Sequence, residues 1–153
     1  MRRRGTELTD AIHAAVLRVI GERGAAGVTM EAVAAAAGTS KAVLYRRWPD
    51  APALLRASLL HTATASIPHT DTGSYRGDML AVLRGWAAVF TGPQAATMRA
   101  VVAAMTRDDE LAAACRADVI GWRKEEMADL LARGVARGDV RADVPVEIAR
   151  ELG

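Results

Sequence analysis

Aromatic residues are scarce in this chain: three Trp, two Tyr and one Phe, 4% of 153 residues. Sheet proteins lean on aromatic and β-branched side chains to cover their faces, so this scarcity beside abundant Ala, Leu, Val and Arg points to an all-α protein. Cysteine is rarer still. Cys115 stands alone, which excludes an internal disulfide and fits a reducing cytoplasm; beside Arg116 it reads as an inert helix cysteine rather than an oxidant sensor. Long apolar runs are missing too. Stretches such as Ala32 to Ala37 fall far short of the roughly 18 residues a membrane span requires, and the basic start Met1 to Gly5 leads into an amphipathic segment. The expectation is neither signal peptide nor membrane helix. Catalytic and metal-ligand spacings are also absent: His13, His61 and His69 form no H-E-x-x-H pair, no Walker or nucleophile-elbow motif occurs, and Asp108, Asp109 and Glu110 read as a helix start rather than a catalytic pair. No enzyme, metal or cofactor is therefore expected.

What is present is unevenly placed charge. The formal net charge is only +2, yet residues 1 to 61 hold nine Lys/Arg against five acids, a local +4, and the remainder holds eleven against thirteen, a local −2. Positive charge gathered in the first third is the footprint of a nucleic-acid contact surface. Arg2, Arg3 and Arg4 read either as an arm that follows phosphates or enters a minor groove, or as a solvated terminus.

Along the chain, Ile12, Ala15, Val16, Val19 and Ile20 recur at three- and four-residue steps, predicting a first helix over Thr6 to Arg23 with one buried face. Gly21, Gly24 and Gly27 lack the G-x-G-x-x-G order of a phosphate loop, and Gly24 or Gly27 suits the left-handed residue that closes a helix. Two short helical patterns follow, Met30 to about Ala37 and about Lys41 to Trp48, meeting at Gly38. Thr29 and Ser40 are placed to cap them, and Glu31 complements the dipole of the first. This is the plan of a helix-turn-helix. In the second helix Leu44 and Trp48 share the face that packs inward, while Lys41 and Tyr45 share an outward face with Arg46 and Arg47 nearby. Those donors can reach phosphates or base edges, whereas a merely solvated basic face would not require the turn glycine and both caps.

The run Gly27 to Leu55, GVTMEAVAAAAGTSKAVLYRRWPDAPALL, resembles the N-terminal signature of TetR-family transcriptional regulators, in which an alanine-rich helix leads to A-G-x-S-x-x-x-L-Y-x-x-F and a further helix. Residues 6 to about 60 are covered. The resemblance implies DNA contacts at Thr29, Ser40, Lys41, Ala42 and Tyr45, with Arg46 or Arg47 near the end of the reading helix. Two positions depart from the family pattern. Trp48 replaces a frequent Phe, and Ala51 replaces a frequent Lys, so that phosphate contact is expected to pass to Arg46, Arg47 or the N-terminal arginines.

Asp50 and Pro52 open a fourth helix expected to reach about Ala65 and, by the resemblance, to transmit signals to the reading head. A loop from Ile67 to Ser74 precedes helices expected over Tyr75 to Thr91, Pro93 to Thr106 and Asp109 to Arg137, each with a broad apolar stripe. The family encloses a small-molecule pocket in this region, and the resemblance draws attention to Trp86, Phe90, Met98, Met105, Trp122 and Met127, although such residues at helical spacing also build plain cores. The segment Gly134 to Pro145 resembles the turn before the family's last two helices, most of which would lie beyond Gly153, so the second domain is expected to be C-terminally shortened. The whole predicts a DNA-binding domain at 1–49 and a helical ligand-binding and dimerisation domain at 50–153. The function expected is a cytoplasmic, homodimeric repressor that binds a palindromic double-stranded DNA operator and is released by an unknown small-molecule effector. The rival is a helix-turn-helix protein whose second domain only dimerises or recruits.

Overall fold

In the computed structural model, the described residues are 6–66, 71–93 and 95–151; Arg2 to Arg4 and positions 67–70 of the expected loop lie outside them. Every regular element among them is helical. In chain order they are α1 (Thr6–Arg23), a short 3-10 turn (Ala25–Gly27), α2 (Met30–Ala37), α3 (Lys41–Tyr45), α4 (Ala51–Ser66), α5 (Tyr75–Thr91), α6 (Ala95–Met105), α7 (Asp109–Cys115), a π turn (Arg116–Ile120), α8 (Gly121–Arg137) and α9 (Val146–Glu151).

Local chemistry sets most of the boundaries. Thr29 Oγ accepts from the Ala32 amide at 3.1 Å and Ser40 Oγ from Val43 at 3.4 Å. Asp50, Ser74 and Asp108 cap α4, α5 and α7 in the same way. Each such cap is worth about 1 kcal/mol. Gly38, at φ 65°, closes α2 in the left-handed region that a side chain would disfavour. Of the two candidate glycines after α1, Gly24 has the positive φ, at 74°.

Three expected boundaries need correction. The reading helix stops at Tyr45 instead of Trp48: the amides of Arg47 and Trp48 both turn back to the Leu44 carbonyl, at 2.9 and 3.0 Å, because Pro49 disfavours helical geometry at the residue before it. Helix α6 starts at Ala95, after Pro93. The helix expected over Asp109 to Arg137 is not uniform. Its ladder widens at Arg116–Ile120, where the Gly121 amide donates to the Arg116 carbonyl five residues back.

The apolar residues gather into two clusters. The larger is built on α1, where Ile12 and Val16 are fully buried, and takes in Val33 of α2, Leu44 of α3, Leu54 and Leu59 of α4, Val101 of α6 and Leu111 of α7. The smaller joins Val82 of α5 to Met127, Leu130 and Leu131 of α8 and Ala149 of α9. Close approach of α5 and α8 requires Gly134, where a Cβ would sit 2.8 Å from the Tyr75 ring. An ionic lock finishes this end. Arg137 donates at 2.6 Å to both Asp78 and Asp71, and Asp78, 1% exposed, also accepts from the Thr72 amide at 2.7 Å and its hydroxyl at 2.8 Å. The Thr72 amide, the Arg137 guanidinium and the Thr72 hydroxyl together hold the Asp78 carboxyl down to about 2.

Candidate functional site: nucleic-acid interface and apolar cavity

At the reading head, Leu44 is fully buried and anchors α3. Trp48 follows α3 half-buried and meets His13 of α1 edge-on, with ring centroids 5.6 Å apart. With the anchor inward, Lys41, Ala42, Tyr45, Arg46 and Arg47 are exposed together, as are Thr29 and Ser40 at the two helix starts. All seven residues singled out from the sequence are thus exposed. Tyr45, 53% exposed, is one of the largest apolar surfaces left to solvent.

Two of the cations are not free. Lys41 Nζ lies 2.5 Å from Glu31 Oε1 of α2, a pairing that pulls the Glu31 carboxyl down and the Lys41 ammonium up. Lys41 is thus exposed with Glu31 occupying its charge. Arg47 donates to the Thr9 hydroxyl of α1, folding back on its own domain. Neither pair has a local sequence signature, since the partners stand 10 and 38 residues apart.

Behind the head sits a histidine cluster that motif reading passed over. His13 Nδ1 lies 2.8 Å from Ser58 Oγ of α4, and Ser58 in turn donates to the Leu54 carbonyl at 2.8 Å. The serine proton is thereby spent, so Nδ1 of His13 is the donor. His61 stacks on His13 at 4.4 Å and comes within 3.5 Å of Asp10. Burial, followed by the charge of His61, pushes the His13 pKa down to about 4. The neutral ring bolts α1 to α4.

Beyond α4 lies a cavity of about 210 Å³. Its walls are Leu59 and Ala63 of α4, Trp86, Val89 and Phe90 of α5, Met98, Val101, Val102 and Met105 of α6, Cys115 of α7, Val119 and Ile120 of the π turn, and Arg123 of α8. Of the six residues drawn from the resemblance, Trp86, Phe90, Met98 and Met105 line it. Trp122 and Met127 do not; both pack into the smaller cluster. The extra residue of the π turn resets which side of the following helix faces inward, and Arg123 takes the place at the wall. A long aliphatic stem lets an arginine line an apolar space. Its guanidinium carbon lies 3.3 Å from the centroid of the Trp86 ring, and burial pulls its pKa down. Burial likewise pushes the Cys115 thiol up, which leaves the cysteine a poor nucleophile.

Among the described residues no cluster of His, Cys, Asp and Glu could hold a metal ion, and no helix is long and apolar enough to cross a membrane. The geometry offers a DNA-facing helix-turn-helix and an apolar chamber joined by α4. Known protein families match both parts of the chain. Residues 12–57 match the family model described as bacterial regulatory proteins, tetR family, and residues 69–153 match the tetracyclin repressor-like C-terminal domain. An uncharacterised HTH-type transcriptional regulator of Bacillus subtilis is 28% identical over 98% of this chain and 78% of its own length. Another, from Mycobacterium tuberculosis, is 33% identical over 81% of this chain, which spans 61% of that relative. The crystal structure of a TetR family transcription regulator superposes with a TM-score of 0.68 at 31% identity, covering 93% of this chain and 79% of that one. A regulator from Rhodococcus sp., at 23% identity, shares the fold with a TM-score of 0.75 over 95% of this chain and 80% of its own. With both halves matched and the reading head intact, the chain belongs to the TetR family of DNA-binding transcriptional regulators, which are not enzymes.

Proposed function

We propose that the protein is a ligand-responsive repressor that binds a palindromic operator as a cytoplasmic homodimer and is released by a small molecule. Residues 1–49 read the DNA and 50–153 bind the effector and dimerise. Thr29, Ser40, Lys41, Ala42, Tyr45, Arg46 and Arg47 make the DNA contacts, and Trp86, Phe90, Met98 and Met105 line the effector site. The observation that carries the reading is the place of α4. Leu59 belongs both to the core under the reading head and to the cavity wall, and its neighbour Ser58 is hydrogen-bonded to α1 through His13. A ligand that moves the wall at Leu59 and Ala63 therefore moves the base of the helix-turn-helix. In a dimer, a small tilt of α4 changes the distance between two reading helices that must match half-sites one helical turn or a multiple apart. Ligand binding then favours a spacing that DNA does not accept.

The rival, a helix-turn-helix protein with no effector, calls for a filled second core, and the cavity speaks against it. The test begins with genome-wide selection of bound DNA fragments, followed by fluorescence anisotropy on a recovered operator. Two chains per palindrome are expected, with affinity falling when a compound that fills the cavity is added. Equal DNA affinity with and without every compound that raises the melting temperature would sink the effector part. Binding as a single chain would sink the dimer.

A further inference from the structure

The cavity is apolar except at one place. Among the described residues Arg123 is the only charged one in its wall, and its guanidinium has no carboxylate of theirs within ion-pair distance. Of the acids on the same run of helix, Asp118 pairs with Arg56 at 3.9 Å and Glu125 with Arg150 at 3.2 Å. Arg123 is half-buried, and an arginine drawn even partly out of water usually has a partner. Here its neighbour is the Trp86 ring, and contact with a ring face does not use the N–H donors. Arg123 Nε and Trp86 Nε1 are both buried with no hydrogen-bond partner. Two partnerless donors and one half-buried positive charge, on two wall residues in contact with each other, suit an anion with acceptor oxygens attached to an apolar body.

We propose that the chamber takes an amphipathic monocarboxylate, with its hydrocarbon between α4, α5 and α6 and its carboxylate on Arg123 and the Trp86 indole N–H. Resting on the reading of this cavity as the effector site, the proposal adds the chemical class of the effector. Arginine pairs with a carboxylate through two parallel N–H donors, a geometry that amides and alcohols do not satisfy equally. Size narrows the class further. An engineered apolar cavity of about 150 Å³ holds benzene, and in proportion a cavity of about 210 Å³ suits a body of about eight carbons. A medium-chain fatty acid and a short arylalkanoic acid share that chemistry. The π turn has a part in this, since it brings Val119, Ile120 and Arg123 to one wall, and such turns occur often at binding sites.

The test compares head groups on one hydrocarbon. Octanoate, octanamide and octan-1-ol, with 3-phenylpropionate as the aryl probe, are titrated calorimetrically into the full chain, and operator affinity is followed by anisotropy. Octanoate or 3-phenylpropionate is expected to bind at least about tenfold more tightly than the amide and the alcohol, and Arg123→Gln to erase that preference while leaving amide binding within about twofold. Equal affinity for acid and amide, retention of the preference in Arg123→Gln, or no binding by any of the four would overturn the proposal. The head-group comparison on the unaltered protein decides the matter even if the variant folds poorly. Failure of the effector reading looks different: the acids bind with the stated preference, yet operator affinity does not change. Neutral compounds that release DNA where acids do not would instead leave the effector reading standing and sink the carboxylate.

Discussion

Around α1 the central side chains are sealed from solvent, whereas several side chains at the cavity between α4, α5, α6 and α8 stay half exposed. Ile12, Val16, Val33, Leu44 and Leu54 are all fully buried, while at the cavity Phe90 is 49% and Val102 46% exposed. A reading helix must hold its donors at fixed positions relative to one another, and close packing with locked rotamers supplies that rigidity. A binding chamber needs the opposite, apolar surface whose burial is left for a ligand to complete. In the proposed function, α4, with α6 and α7 packed on the same core, carries a change at the cavity to the head as a movement of a rigid body.

The largest expected effect tests this contrast directly. Leu44→Ala removes a fully buried side chain and should destabilise the protein by about 2–5 kcal/mol in urea unfolding. Phe90→Ala removes a larger side chain that is half in solvent and should cost about 1 kcal/mol or less. Similar losses for the two would collapse the comparison. Next in size is the bolt between α1 and α4. The folded pKa of His13 lies at about 4, below the ordinary 6.5, so the unfolded chain takes up a proton that the folded one refuses. Stability from this group is therefore complete above about pH 6.5 and is lost as pH falls toward 4, on the order of 3 kcal/mol in all. Replacing His13 with Gln, which keeps a donor for Ser58, should flatten that part of the pH profile. An unchanged slope between pH 6.5 and 4 would place the titration elsewhere.

A third effect belongs to the surface of the head. Tyr45→Ala should weaken operator binding about tenfold or more with stability changed by no more than about 0.5 kcal/mol. A loss of stability with DNA affinity kept would reverse the assignment of faces on α3.

The elements that could be read from the sequence are those whose causes are local. Thr29, Gly38, Ser40 and Asp108 stand within four residues of the groups they cap or turn, and the apolar steps of α1 declare its buried face. Leu44 inward and Tyr45 outward follow from helical spacing alone. What could not be read depends on distant partners or on a change of period. The π turn at Arg116–Ile120 is invisible to a rule that assumes a constant helical repeat, and beyond it Arg123 lines the cavity while Trp122 and Met127, to which the resemblance draws attention, pack into the smaller cluster. His13 and Ser58 are 45 residues apart, and Arg47 and Thr9 are 38 apart. Neither pair has a sequence pattern, because only the packing of α1 against its neighbours brings them together.

The pair between Lys41 and Glu31, ten residues apart and 2.5 Å across, supplies the smallest and most discriminating effect. It lies on the surface of the filled end, with both side chains more than half exposed, where ion pairs add little to stability. Its influence falls on binding. A phosphate approaching Lys41 must displace the Glu31 carboxylate, and that carboxylate repels the same phosphate. Glu31→Gln should therefore raise operator affinity at low salt, by up to about fivefold, and leave the unfolding midpoint nearly unchanged. The gain should shrink as salt rises, because exposed charges are screened beyond about 10 Å at 0.1 M. Lys41→Ala should abolish the gain, since Glu31 then has no cation to withhold. If Glu31→Gln weakens DNA binding instead, Glu31 is holding Lys41 in the orientation that DNA requires, and the rigidity argued for the interior of the head extends to its surface.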